Sequence, residues 1–216
     1  LGPQDLRGRR ILITSGSNAE RMDDIRILTN RASGKTGVAL ALEAYRRGAE
    51  VAIVSRFPQR LPVREIYAES AQEMLDYVLA EVARGCDALI SAAAVADYTL
   101  DARAGKIKSG QDLTLRLLPT KKIIKTVRSA YPDLKIVGFK AETNISEDEL
   151  LQRATESMRA SGLDLVVAND VGKGGMGTDE NRIVIIDRAG GKTSVEGRKN
   201  LIARRIIDAL AEVLSA

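Results

Sequence analysis

Lysine, arginine, asparagine and aspartate must carry most of the chemistry this sequence performs, because it holds no histidine and a single cysteine, Cys86. Without histidine there is no Ser–His or Cys–His nucleophile, no zincin-type metal site and no imidazole base. Charge, carboxamides, backbone dipoles and a hard cation such as Mg2+ remain. The basic residues recur in groups between apolar runs: Arg26, Arg31 and Lys35, then Lys106 and Lys108, then Lys121 and Lys122. Among them lies Ala88-Leu89-Ile90-Ser91-Ala92-Ala93-Ala94-Val95-Ala96-Asp97-Tyr98, a buried strand that becomes a run of small residues and ends on a carboxylate. Small side chains let a ligand reach the backbone. An acid beyond a strand's C-terminal end is where open α/β sheets hold ligands. Taken alone, the stretch reads equally as close packing beside a solvated acid. Lysines near helix starts suit a polyphosphate. Nucleotide-dependent phosphoryl or nucleotidyl transfer is the chemistry these residue types support.

Three motifs fail their context. Ser33-Gly34-Lys35-Thr36 ends like a P-loop, but Thr29 stands where that pattern needs glycine, and the loop does not directly follow a strand. Gly172, Gly174 and Gly177 have dinucleotide-binding spacing, but a hairpin follows them instead of a helix, and the first strand–helix turn has only Gly16. Tyr131 and Lys135 have short-chain dehydrogenase spacing, but Pro132 breaks the helix they would share.

The elements that must position these residues follow from periodicity. Residues 10–16 read as a buried parallel strand, 17–31 as a polar loop, 32–45 as a helix and 50–55 as the second strand of a βαβ unit. A short strand over 63–67 precedes a helix capped by Ser70, and residues 86–94 form the next strand. Residues 98–110 have no period and read as a mobile flap, and 113–117 alternate like a returning strand. A helix over 121–130, a strand over 135–139, a capping-box helix from Ser146 and a strand over 163–170 come next. A hairpin over 182–196 and a final helix with Ile202, Ile206, Leu210 and Val213 on one face close the chain. The predicted fold is α/β and Rossmann-like: a mostly parallel, doubly wound sheet with a C-terminal β-hairpin and a flap. Residues 1–8, with no initiator Met, read as a leader or linker remnant, and 9–216 as one nucleotide-binding domain.

Composition bounds the partners. The chain is 44% hydrophobic and 29% charged, with net charge +4. No apolar run is long enough to span a membrane. Only 3% of residues are aromatic, which leaves little surface for base stacking and argues against nucleic acid. A lone cysteine fits a reducing cytoplasm, as a buried thiol rather than a nucleophile.

One combination of segments is specific. Arg26-Ile27-Leu28-Thr29-Asn30-Arg31-Ala32-Ser33-Gly34-Lys35-Thr36-Gly37, Ala93-Ala94-Val95-Ala96-Asp97-Tyr98, Lys106-Ile107-Lys108, Val137-Gly138-Phe139-Lys140-Ala141-Glu142-Thr143, Ala168-Asn169-Asp170-Val171 and Gly177-Thr178-Asp179-Glu180-Asn181 occur together in order. The chain thereby resembles phosphopantothenate–cysteine ligase of coenzyme A biosynthesis, which in many microbes is the C-terminal half of a fusion with a flavin-dependent decarboxylase. The missing Met is what an excised half would show. The resemblance implies a homodimeric enzyme that joins 4'-phosphopantothenate to cysteine through an acyl-cytidylate, with CTP as co-substrate and Mg2+ bridging its triphosphate.

It also implies the site. Ser91, Ala92, Ala93 and Asp97 would hold the nucleotide, lined by Leu118, Pro119, Thr120, Lys121 and Phe139. Lys106 would neutralise charge at the reacting phosphate. Asn30 would hold the acyl intermediate. Arg26, across a dimer interface, would bind phosphopantothenate with Ser33, Gly34, Lys35 and Ala94. No protein metal ligand is implied. Two departures stand out. The first loop reads Ser15-Gly16-Ser17-Asn18-Ala19-Glu20 rather than the family's usual pattern. Arg153 and Arg159 are the basic candidates where bacterial members carry a lysine pair. The expected nucleotide is CTP, although some relatives accept ATP. A Rossmann-type oxidoreductase and a non-catalytic nucleotide-binding module are the rival classes.

Overall fold

A computed structural model describes residues 3–173 and 179–216. In chain order its elements are β1 (Arg10–Ser15), β2 (Ala19–Arg21), β3 (Ile27–Thr29), α1 (Lys35–Arg46), β4 (Glu50–Ser55), β5 (Arg64–Tyr67), α2 (Ala71–Ala83), β6 (Ala88–Ser91), β7 (Tyr98–Thr99), β8 (Leu118–Pro119), α3 (Ile123–Ala130), β9 (Lys135–Glu142), α4 (Glu147–Ser161), β10 (Leu165–Asp170), β11 (Glu180–Asp187), β12 (Lys192–Arg198) and α5 (Lys199–Ser215). Eight strands form the main sheet in the order β12-β11-β10-β9-β6-β1-β4-β5. All pairings are parallel except those made by β11, to β10 and to β12. The α/β fold expected from the sequence is the fold observed.

Strand alternation divides the core between two faces. Ile11, Ile13, Ala88, Ile90, Val137, Leu165 and Val167 pack on the face covered by α1 and α5. Leu12, Leu89, Ile136, Val166 and Ala168 pack on the face covered by α2, α3 and α4. The caps follow the sequence. Ser70 and Glu73 complete a reciprocal capping box on α2. On α4 only half the expected box forms: the Ser146 hydroxyl accepts from the Glu149 N–H, and Gly162 ends the helix in the left-handed region.

Four expectations need correcting. The polar loop 17–31 contains the β2–β3 hairpin, a separate two-stranded ribbon. Residues 113–117 are not a strand: Leu113 and Leu117 are both exposed, so their alternation has no face to bury. The strand paired with β7 is β8, one residue further on. The strand expected over 86–94 ends at Ser91, after which a single bridge joins Ala94 to Ser17. The helix expected from residue 121 begins at Ile123, flanked by Lys122.

Residues 3–8, expected as a linker remnant, are docked. Leu6 is fully buried. Its N–H donates to the Arg47 carbonyl, and Asp5 pairs with the buried Arg47 guanidinium. Tyr131 follows α3 with a non-helical backbone and Lys135 opens β9, so the two share no helix face. Gly174 and Gly177 lie outside the described residues. Among the described residues, no helix is long and apolar enough to cross a membrane.

Candidate active site

The chain leaves β1 in one direction to build β4 and β5, then crosses back to build β6, β9 and β10 on the other side. The gap beyond the C-terminal ends of β1 and β6 is therefore a topological switch point, where doubly wound sheets bind ligands. A cleft opens there. Gly16, Ser33, Gly34, Lys35, Thr36 and Gly37 form one wall, residues 92–94 the floor, and Phe139, Ala141, Asn169, Asn181 and Lys199 the far side.

Glycine makes the first wall so close. Gly16 and Gly34 both have φ of 77°. A Cβ on Gly37 would lie 2.3 Å from Ser15 Oγ. With hydrogen alone at that position, α1 starts directly against the end of β1, and the Ser15 hydroxyl donates to the Gly34 carbonyl at 3.0 Å. The first N–H groups of a helix have no partner within it, and Lys35, Thr36 and Gly37 bring them to the cleft. The floor is pinned from below. Ala92 N–H donates to Thr14 O at 3.2 Å and Ala94 N–H to Gly16 O at 2.8 Å. Ala93 N–H donates to Thr14 Oγ1 at 3.3 Å. All three floor amides are thus already used.

Asn30 reaches this floor from the strand that follows the hairpin turn: its Nδ2 donates to the carbonyls of Ala94 at 3.0 Å and Val95 at 3.4 Å. Beyond it, the Thr120 hydroxyl donates to Ala96 O at 2.6 Å and its N–H to Asp97 O at 3.0 Å. The three segments that the sequence marked, around residues 26–35, 93–97 and 119–122, are therefore contiguous.

Other expected residues stand at the rim or beyond it. Asp97 is exposed and pairs with Lys122. Lys106 and Lys121 are exposed and do not line the cleft. Ser91 is buried at the end of β6. Leu118 and Pro119 form β8 against β7. Arg153 is held by Glu149 and Glu142 on the outside of α4. The guanidinium of Arg26 is turned to Asp23 and to the Ile107 carbonyl.

The sequence reading missed Lys199 on the far side and gave no role to Asn181, although the segment ending in Asn181 is among those that carry the resemblance. Lys199 opens α5, a helix whose sequence signal is its apolar stripe. Burial, with Lys35 nearby, lowers its ammonium pKa. Lys35 pairs with Asp179 at 2.6 Å, which holds that carboxyl below its usual range. The signal available was a lysine at a helix start that follows a hairpin returning to the sheet's C-terminal end.

Comparison with known proteins follows this geometry. The family described as "DNA/pantothenate metabolism flavoprotein C-terminal domain" matches residues 6–214. The "Coenzyme A biosynthesis bifunctional protein CoaBC" of Thermococcus kodakarensis is 41% identical over 99% of this chain, which covers 54% of that protein. The chain spans about half the length of the curated relatives it matches. The crystal structure of the C-terminal domain of a CoaBC protein has a TM-score of 0.82 at 30% identity, with 98% of each chain covered. A Cab2 mutant in complex with phosphopantothenate-cysteine shares the fold at a TM-score of 0.74 and 15% identity, over 97% of this chain and 88% of its own. The chain belongs to the DNA/pantothenate metabolism flavoprotein C-terminal domain family.

Proposed function

We propose that this chain is a phosphopantothenate–cysteine ligase. The observation that carries the reading is the cleft at the β1–β6 switch point, where the start of α1, a floor of three alanines and the Asn30 carboxamide converge, in a chain whose relatives along its whole length are CoaBC proteins. In the first step a carboxylate oxygen of 4'-phosphopantothenate attacks the α-phosphorus of CTP, and pyrophosphate leaves. In the second, the amine of cysteine attacks the acyl carbon of the mixed anhydride, loses a proton, and CMP leaves. A carboxylate is a poor electrophile until its oxygen becomes part of a leaving group. Nucleotidyl transfer of this kind depends on alignment and charge neutralisation more than on a protein base, which fits a chain without histidine.

The roles are inferred from the resemblance together with what lines the cleft. The α1 start with Lys35, and Lys199 opposite, supply positive potential for phosphate. Phe139 and residues 92–94 give an apolar wall and floor, and residues 118–121 would line the nucleotide site as the resemblance implies, Thr120 being bonded to the Ala96 and Asp97 carbonyls. Asn30 has its carboxamide oxygen to offer the acyl group, its NH2 group being directed at the Ala94 and Val95 carbonyls. Lys106, which does not line the cleft, would neutralise charge at the reacting phosphate, as the resemblance implies. The triphosphate oxygens and water would hold Mg2+, which would supply charge neutralisation there. Among the described residues, no group of three or more acidic or cysteine side chains is arranged to hold a metal.

The chain acts in the cytoplasm, as a homodimer. Exposed Ile25 and Ile27 beside Arg26 offer apolar surface for that contact. The bifunctional relatives support a decarboxylase half in the full-length protein. The test is pyrophosphate release from CTP with phosphopantothenate present, then formation of phosphopantothenoylcysteine on adding cysteine, followed by mass spectrometry. Equal turnover with ATP would remove the CTP preference. Phosphopantothenate-independent oxidation of NADPH with no pyrophosphate would replace the ligase by an oxidoreductase.

A further inference from the structure

We propose that Asp23 is a positioning residue for Lys106, acting as a clamp that ties residues 103–107 to the turn of the β2–β3 hairpin. This inference rests on the proposed role of Lys106 at the reacting phosphate. Asp23 is 1% exposed, and a buried carboxylate is costly unless its oxygens are filled by donors. They are filled in two directions. Oδ1 accepts the N–H groups of Ile25 at 2.8 Å and Arg26 at 2.7 Å, which closes the local turn. Oδ2 accepts the N–H of Ile107 at 3.0 Å, from 84 residues away, together with the Arg26 guanidinium. Arg26 in turn donates to the Ile107 carbonyl at 3.2 Å. One ion pair, its carboxylate buried and its guanidinium half-exposed, therefore grips both backbone groups of Ile107.

The neighbouring residues are held the same way. Gly105 N–H donates to Asp24 Oδ2 at 2.9 Å, and Arg103 N–H to Met22 O at 3.0 Å. Lys106 thus sits between two tethered residues with its own side chain exposed. The bond from Ile107 is also the foremost cause holding the Asp23 carboxyl far below the usual carboxylate range. A residue needed only for its own turn would use Oδ1 alone.

Asp23→Asn separates the two roles. Its carbonyl can still accept the turn N–H groups, but its NH2 group faces the Ile107 N–H and the Arg26 guanidinium, donor against donor. In the ligand-free protein we expect trypsin to cleave after Lys106 and Lys108 about ten- to a hundredfold faster in the variant, the loss of a charged hydrogen bond acting on the opened population. The circular dichroism spectrum should be unchanged. Asp24→Ala, at an exposed position, loses the Gly105 tether and the pairing with Arg21 but leaves Ile107 held, and should raise cleavage less. In the ligase assay, kcat should fall in Asp23→Asn with KM for cysteine unchanged. Adding it to Lys106→Gln should cost nothing more.

Unchanged cleavage in both variants overturns the clamp. Faster cleavage with wild-type kcat overturns the positioning role and leaves the ligase reading intact. A wild-type chain that releases no pyrophosphate overturns the ligase reading, and the positioning role falls with it. The cleavage rates would then still report on the clamp.

Discussion

Gly37→Ala sets two physical effects against each other, and its sign tests how the cleft wall is built. Helix propensity favours alanine over glycine by about 1 kcal/mol in a helix interior. Packing opposes it. The new Cβ would lie 2.3 Å from Ser15 Oγ, 2.5 Å from Ser15 Cβ and 3.1 Å from Ser15 Cα. Carbon atoms in contact rest at roughly 3.5–4.0 Å, so α1 and β1 would have to part by about 1 Å. Neither can move freely, because Leu40, Ala41, Ala44, Ile11 and Ile13 around that contact are almost fully buried. Overpacking of this kind costs about 1–3 kcal/mol, and the clash involves atoms next to the backbone, so we expect the upper end. The net loss after the propensity gain is about 1–2 kcal/mol, or roughly 2–8 °C in Tm for a chain of this length. Thermal and urea unfolding give both numbers. Ser15→Gly removes Oγ and Cβ, so the double variant should be more stable than the sum of the singles by about 1 kcal/mol or more. A Gly37→Ala protein as stable as wild type, or a strictly additive pair, would refute the close-approach account.

Further outcomes follow from charges and the thiol. Arg47 holds the carboxyl of Asp5 below its usual value, chiefly through their hydrogen bond. Because that pKa is depressed on folding, the pair's contribution is fully present above the unfolded pKa near 3.8, and is lost as pH falls through the folded value. Arg47→Ala should remove this part of the acid dependence. It should cost about 1–3 kcal/mol at neutral pH, measured by urea unfolding across pH 3 to 7; both carboxylates left behind are partly exposed and stay hydrated. Burial, foremost, pushes the Cys86 thiol up to about 11. Its native alkylation at pH 8 should therefore be about a hundredfold slower than in urea, and equal rates would contradict the partial burial of this thiol. Asn30→Asp should retain the fold, since its side chain is exposed at the rim, but lose most of its ligase turnover.

Much of the scaffold was legible because its signals are local. Buried runs such as Ile11-Leu12-Ile13 and Leu165-Val166-Val167-Ala168 bury both faces of parallel strands, and Ser70 announces α2 with its capping box. The β2–β3 hairpin was not legible. Its strands have three residues each, too few to display a period, and β3 is not buried on either side. The alternation at 113–117 misled because a period of two marks a strand only where a partner covers one face. Of the residues expected from the joint pattern, Ala92 to Ala94 and Phe139 line the cleft and Asn30 is bonded to its floor. Asp23 and Lys199 were not, because their settings depend on groups distant in sequence: Ile107 for Asp23, and Lys35 for Lys199.

The central claim is that the Asn30 and Ala94 cleft makes and then consumes an acyl-nucleotide. A rapid-quench experiment with CTP, Mg2+ and phosphopantothenate, but no cysteine, tests it most directly. The account predicts about one pyrophosphate per active site with no matching CMP, then CMP and phosphopantothenoylcysteine together once cysteine is added. Release of CMP and pyrophosphate in step before cysteine is present, or no pyrophosphate until it is, would contradict a held intermediate.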